Sequence, residues 1–138
     1  MNLPIYAKVD LTAGRWEPFE IPRDYFKKYV GGKCMAARLL LDLTPPGLDA
    51  LSPEAVIIIN TGPLNGTGAP SSSRFNLSFK NVMTGGIASS NCGGQFGVML
   101  KRAGFDGLII TGRAAEPSVL EILDGEVHIR PAPELWGL

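Results

Sequence analysis

Two stretches of this sequence carry residue types that could meet a polar ligand. The first is Thr61-Gly62-Pro63-Leu64-Asn65-Gly66-Thr67-Gly68-Ala69-Pro70, which runs through Ser71-Ser72-Ser73 to Arg74. The second is Ser89-Ser90-Asn91-Cys92-Gly93-Gly94, placed just ahead of an expected helix. Small side chains leave backbone N–H groups open, and a helix N-terminus adds partial positive charge. Arg74 offers a planar, permanently charged fork that suits phosphate. Together they suit a flat, polar, phosphate-bearing cofactor. Glycine loops also serve as plain turns, and the residues alone leave both readings open.

The remaining reactive side chains invite blander readings. Asn91 beside Gly93-Gly94 would cap a following helix. Cys92 reads as a small buried residue rather than a metal ligand. Cys34 and Cys92 make no CxxC spacing, and nothing supports a disulfide between them. His128 alternates with Val127 and Ile129 and belongs on a solvated strand face. Lys101-Arg102 fits a solvated helix face, and Trp16 and Trp136 suit a core or an interface.

The elements that must position the two loops are legible from pattern. Ile5 to Asp10 and Trp16 to Ile21 form an opening strand pair, turned at Thr12-Ala13-Gly14-Arg15. Asp24 can cap a short helix over Tyr25 to Val30, stopped by Gly31-Gly32. Met35 to Leu43 is a second helix, ended by Pro45-Pro46-Gly47. Val56-Ile57-Ile58-Ile59 and Leu108-Ile109-Ile110 read as strands buried on both faces. Arg74 to Phe79 alternates with Phe75, Leu77 and Phe79 on one side, and Ile87 to Asn91 follows the Thr84-Gly85-Gly86 turn. Gln95 to Ala103 places Phe96, Met99, Leu100 and Ala103 at helical spacing. Val119 to Leu123 and Val127 to Arg130 flank Asp124-Gly125, a hairpin turn. About seven strands and three short helices predict an α+β fold with mixed or antiparallel sheets, and helices near 35–43 and 94–103.

Composition bounds the partners. With 45% hydrophobic and 19% charged residues, the 138-residue chain is a folded single domain, residues 1–138. Lys+Arg and Asp+Glu stand at 13 each, so there is no basic excess for nucleic acid or a membrane surface. No apolar run nears the ~20 residues of a membrane span, and Met1 to Asp10 has no secretory pattern. A cytoplasmic setting is expected.

The same loops carry a resemblance. Val9-Asp10-Leu11-Thr12 with Gly14, Val30-Gly31-Gly32, Pro45-Pro46-Gly47 and Leu51-Ser52-Pro53-Glu54 come first. Thr61-Gly62-Pro63-Leu64 with Gly66-Thr67, Ala69-Pro70 and Arg74 follow, then Thr84-Gly85-Gly86. Asn91 with Gly93-Gly94, Phe96-Gly97, Leu100-Lys101, Ala103-Gly104-Phe105-Asp106, Gly112-Arg113-Ala114 and Leu135-Trp136-Gly137 complete the set. In order and spacing, over nearly the whole chain, this resembles the N-terminal domain of the aldehyde ferredoxin oxidoreductase family, tungsten enzymes that hold the metal between two pterin dithiolenes.

The resemblance implies a base-like, β-rich domain on which a tungsten-bis-pterin lies. It implies aldehyde (or related carbonyl) oxidation, electron transfer to ferredoxin or a ferredoxin-like subunit, and a homo-oligomer. Arg74 matches a family residue that contacts the pterin. Asn91 matches one whose backbone carbonyl helps hold a magnesium ion bridging the pterin phosphates, and Gly93 and Gly94 lie in the same cofactor-contacting loop. Lys33, Cys34 and Cys92 depart from the family's usual arginine, glycine and serine; Lys33 keeps the charge but loses the planar fork. Family members are several times longer, and the 4Fe–4S cysteines, metal-proximal residues and further pterin contacts belong to their C-terminal domains. Two cysteines cannot supply four thiolates, so the 138-residue chain by itself is expected not to oxidise aldehydes and carries no catalytic residue. The alternative is a non-catalytic structural or diverged pterin-binding module.

Overall fold

A computed structural model describes residues 3–138; the first two positions of the expected domain lie outside the described residues. Alternating side chains build one six-stranded sheet from β1 (Ile5–Asp10), β2 (Arg15–Glu20), β3 (Ile57–Thr61), β4 (Phe75–Lys80), β5 (Ile87–Cys92) and β6 (Gly107–Thr111), in the order β2-β1-β6-β3-β4-β5. Only β1 and β6 run parallel; the other neighbours are antiparallel. A separate hairpin joins β7 (Ser118–Leu123) to β8 (Glu126–Pro131) across Asp124-Gly125. With helices α1 (Arg23–Tyr29), α2 (Gly32–Leu43) and α3 (Phe96–Arg102), the class is the expected α+β, with eight strands among the described residues rather than about seven.

The period of two sorts the strands into two cores. Tyr6, Ile58 and Ile109 face α2, where Met35, Ala36, Leu39 and Leu40 meet them with Ile21 and Val56. Ala7, Val9 and Leu108 face the other way, against Leu100 of α3, Phe105 of the loop after it and Val127 of the hairpin. That second layer covers the β1–β6 half of the sheet. Ile57, expected to be buried, is therefore 41% exposed.

Local readings are corrected in two places, α1 and α3. α1 begins after Pro22 with no side-chain cap, so Asp24 supplies first-turn charge and not a cap. In β4, Phe75, Leu77 and Phe79 share one side as expected and are partly covered, and the buried residues are Asn76 and Ser78 on the other. α3 buries Gly97 and Leu100 and leaves Phe96 and Met99 exposed. Trp16 packs edge-on against Phe105, whereas Trp136 is 79% exposed.

Candidate functional site

Sheet register gathers the two loops at one rim. Thr61 pairs with Phe75, and Phe75 pairs with Cys92. One residue further, Gly62, Arg74 and Gly93 leave the ends of three adjacent strands side by side. The structure thus brings together Arg74, Asn91, Gly93 and Gly94, which lie far apart in sequence. α2 starts at the same rim: Asn60 Nδ2 donates to the Gly32 carbonyl at 2.9 Å. A Cβ on Gly31 would sit 3.0 Å from the Thr61 carbonyl oxygen, a tight approach that the missing side chain relieves. Val30 takes φ 62°, ψ −58°, with Gly31 N–H donating to Tyr29 O at 2.6 Å. This is the strained γ-turn, and on a β-branched residue it costs of order 1–3 kcal/mol. Its effect is to fold the chain sharply so that α2 begins at the rim.

The rim is open and unpaired. Among the described residues the Arg74 guanidinium is exposed and makes no ion pair or hydrogen bond. Asp106, the downstream acid nearest it in sequence, is committed elsewhere: its carboxylate meets Lys101 Nζ at 3.1 Å and accepts from Ile5 N–H at 3.1 Å. Lys101 is correspondingly a paired residue, not a purely solvated one. A Cβ on Gly93 or Gly94 would meet nothing within 4 Å, and Gly94 has φ +97°, a conformation that favours glycine. A cleft of about 250 Å³ opens beside the rim, lined by Tyr6, Gly31, Thr61, Gly62, Lys101 and Asp106 among others.

Asn91 is not a helix cap. It lies in β5 opposite Asn76, and α3 begins only at Phe96 with no side-chain cap. Cys92, expected to be buried, is exposed and free, as is Cys34. His128 is exposed as expected. Among the described residues there is no group of three or more His, Cys, Asp or Glu arranged to hold a metal, so a metal held at this rim would need ligands from outside these side chains.

What the sequence reading missed are buried asparagines behind the rim. Asn65 is 5% exposed and donates from Nδ2 to the Arg74 carbonyl at 3.0 Å, fixing the end of the first loop. Gly97 makes room for it, since a Cβ there would lie 2.6 Å from Asn65 Nδ2. Asn60 and Asn76 are likewise buried. The available signal was polar residues at strand positions whose parity points inward.

The fold and rim can be set beside known proteins. The family model described as "Aldehyde ferredoxin oxidoreductase, N-terminal domain" matches residues 6–138. The chain is 39% identical over 132 residues to the tungsten-containing aldehyde ferredoxin oxidoreductase of Pyrococcus furiosus, covering 96% of this chain and 22% of that protein. To the protein of that name from Pyrococcus abyssi it is 41% identical over 130 residues, 94% of this chain and 21% of that one. Among solved structures, the active site complex BamBC of benzoyl coenzyme A reductase, in complex with 1,5-dienoyl-CoA, superposes with a TM-score of 0.93 at 34% identity, covering 97% of this chain and 20% of that one. The chain thus spans about a fifth of the length of these relatives. With a match over nearly its whole length, the chain belongs to the aldehyde ferredoxin oxidoreductase N-terminal domain family.

Proposed function

We propose that this domain is the cradle for a tungsten-bis-pterin in an oxidoreductase that oxidises aldehydes or related carbonyl compounds and passes electrons to a ferredoxin-type acceptor. The observation that carries the reading is the rim: an exposed arginine with no side-chain partner among the described residues, beside open glycine backbone. A flat ligand with phosphates fits such a surface, because small residues let it lie on the backbone and the guanidinium meets its charge. Arg74 would hold a phosphate or the pterin edge. Gly93 and Gly94 would give the ring clearance. The Asn91 carbonyl oxygen is a hard ligand of the kind magnesium takes, and it would help hold such an ion beside the cofactor's phosphates. When bound, the group would supply the redox chemistry; this chain's residues bind and orient it. The 4Fe–4S cluster, the substrate pocket and the residues nearest the metal would come from sequence beyond the family's N-terminal domain, and a cytoplasmic homo-oligomer is part of the same reading.

The likeness to BamBC favours a second reading, in which the same cradle serves reduction of an aromatic thioester instead. The two are told apart with the whole protein, by testing aldehyde-dependent dye reduction against dye-linked turnover of a dienoyl-CoA.

The cradle itself is tested at Arg74. Arg74→Ala in the whole protein should weaken cofactor retention roughly tenfold to a hundredfold, the loss of one charge-assisted contact. Stability of the cofactor-free protein should shift by less than about 0.5 kcal/mol. Full tungsten and pterin content with a much lower melting temperature would make Arg74 a structural residue and overturn the assignment.

A further inference from the structure

Across the sheet, one register line runs through Tyr6, Gly107, Asn60, Asn76 and Asn91, each paired with the next. In-register neighbours share a face, here the face that α2 covers. Gly107 has no side chain because a Cβ would come within 2.7 Å of Tyr6 Cε2 and 2.9 Å of Asn60 Cβ. Tyr6 therefore lies across it, and its hydroxyl accepts from Asn60 Nδ2 at 3.0 Å. At the other end of the line Asn76, 3% exposed, donates from Nδ2 to Asn91 Oδ1 at 3.0 Å. The same amide reaches Ser89 Oγ at 2.8 Å and the Ser90 carbonyl at 3.1 Å. Ser78 Oγ donates to Asn76 Oδ1 at 2.7 Å. The Ser90 carbonyl can only accept, and that fixes the NH2 end of the carboxamide toward β5.

β5 has a neighbour on one side only, and most of its residues are exposed. An edge strand that ends in Gly93-Gly94 has little else to define the direction of its last residues. A buried amide that contacts three consecutive residues, Ser89, Ser90 and Asn91, supplies that definition. We propose that Asn76 is a positioning residue for the cofactor: by engaging the Asn91 side chain it leaves the Asn91 carbonyl and the glycine turn presented outward in one orientation. The proposal rests on the cradle reading, and it adds a residue that would never touch the ligand.

The test uses the whole, cofactor-loaded protein. Tungsten is read by elemental analysis and pterin by fluorescence of the released, oxidised ring, both followed over time after transfer to cofactor-free buffer. Asn76→Ala should release both about threefold to tenfold faster, the equivalent of one hydrogen bond. Amide exchange in the cofactor-free protein should accelerate at Asn91–Gly94. Val127→Ala, in the second core and remote from β5, serves as a control chosen for similar loss of stability, and it should leave release unchanged. Asn91→Ala should speed release by no more than Asn76→Ala, which also frees Ser89 and Ser90, and the double variant should fall short of the product of the two single effects, because they share one link. Multiplying effects, equal release by the Val127 control, or wild-type release by Asn76→Ala would each overturn the proposal. Should Asn76→Ala fail to fold, the exposed Asn91→Ala decides alone, and wild-type release overturns it. If Arg74→Ala loses cofactor while the Asn76 and Asn91 variants keep it, only the positioning role falls; if all three keep it, the cradle reading falls.

Discussion

Along β2 the outer edge of the sheet carries Arg15, Glu17, Pro18 and Glu20, while along β5 the opposite edge reads Ile87-Ala88-Ser89-Ser90-Asn91-Cys92. Charge and a missing N–H are what keep an exposed strand from pairing with another chain. β2 has both, and β5 has neither. The interior differs in the same sense. At the β2 end of the central register line, Phe19 pairs with Tyr6 over the α2-side core. At the β5 end Asn76 meets Asn91, and the far end of the same strand pair exposes Val82, Met83 and Ile87. One side of the domain is finished by its own side chains. The β5 side lacks such guards, and it is the side on which Arg74, Asn91, Gly93 and Gly94 converge.

The largest effect should come from the strand that joins the two halves. Ile109 is fully buried in β6, which pairs with β1 on one side and β3 on the other. Ile109→Ala should cost ~2–5 kcal/mol, seen as a lower urea midpoint with unchanged slope. Exchange should rise together in β1–β2 and in β4–β5. If β4–β5 opened while β1–β2 stayed protected, the two halves would be separate folding units and the contrast between their edges would be one between subdomains.

A smaller effect tests the polar line between the edges. Burial is the main cause that pushes the Tyr6 hydroxyl pKa upward from its ordinary 10.0; the hydrogen bond from Asn60 pulls it down, and Asp106 raises it slightly. The folded value therefore exceeds the unfolded one. The stabilising contribution is complete below about pH 10 and is lost as pH rises, because the unfolded chain releases this proton first. The slope for one proton is ~1.4 kcal/mol per pH unit. Tyr6→Phe should cost roughly 1 kcal/mol at neutral pH, since it removes one hydrogen bond, and should flatten the alkaline decline. An unchanged alkaline slope in Tyr6→Phe would place the titrating group elsewhere.

What the sequence disclosed divides along the same line. The β-branched runs, the Asp124-Gly125 turn and the Pro45-Pro46-Gly47 stop are local signals, and each produced its element. The rim residues were legible because Arg74 and the glycines stand in runs of small residues that resemble a known family. Asn65, Asn76 and Ser78 were not legible: their roles depend on cross-strand register, which no local window contains. The alternation in β4 puts Phe75, Leu77 and Phe79 on one side, as the pattern predicts, but it does not tell that the side α2 covers is the polar one. Asn91 read as a helix cap for the same reason, because a polar residue before glycines looks alike whether it ends a strand or starts a helix.

The smallest predicted effects exchange the guards of the two edges. Glu17 meets Lys8 Nζ at 3.0 Å with both side chains well exposed, so Glu17→Gln should cost under ~1 kcal/mol and less as salt rises. Pro18 and two charges remain on β2, and that edge should stay unpaired. Ser90→Lys on β5 touches an exposed position and should move stability by no more than about 0.5 kcal/mol. Its consequence should lie in association. The 138-residue chain, with β5 bare and Trp136 exposed, should self-associate reversibly as concentration rises, and a lysine on the edge should shift that onset to higher concentration. Sedimentation velocity over a concentration series of wild type, Glu17→Gln and Ser90→Lys reads both edges in one experiment. A wild-type chain that stays monomeric throughout, or a Ser90→Lys chain that associates as readily as wild type, would mean that β5 is protected by its own twist or neighbours and that the two edges do not differ in the way their residues imply.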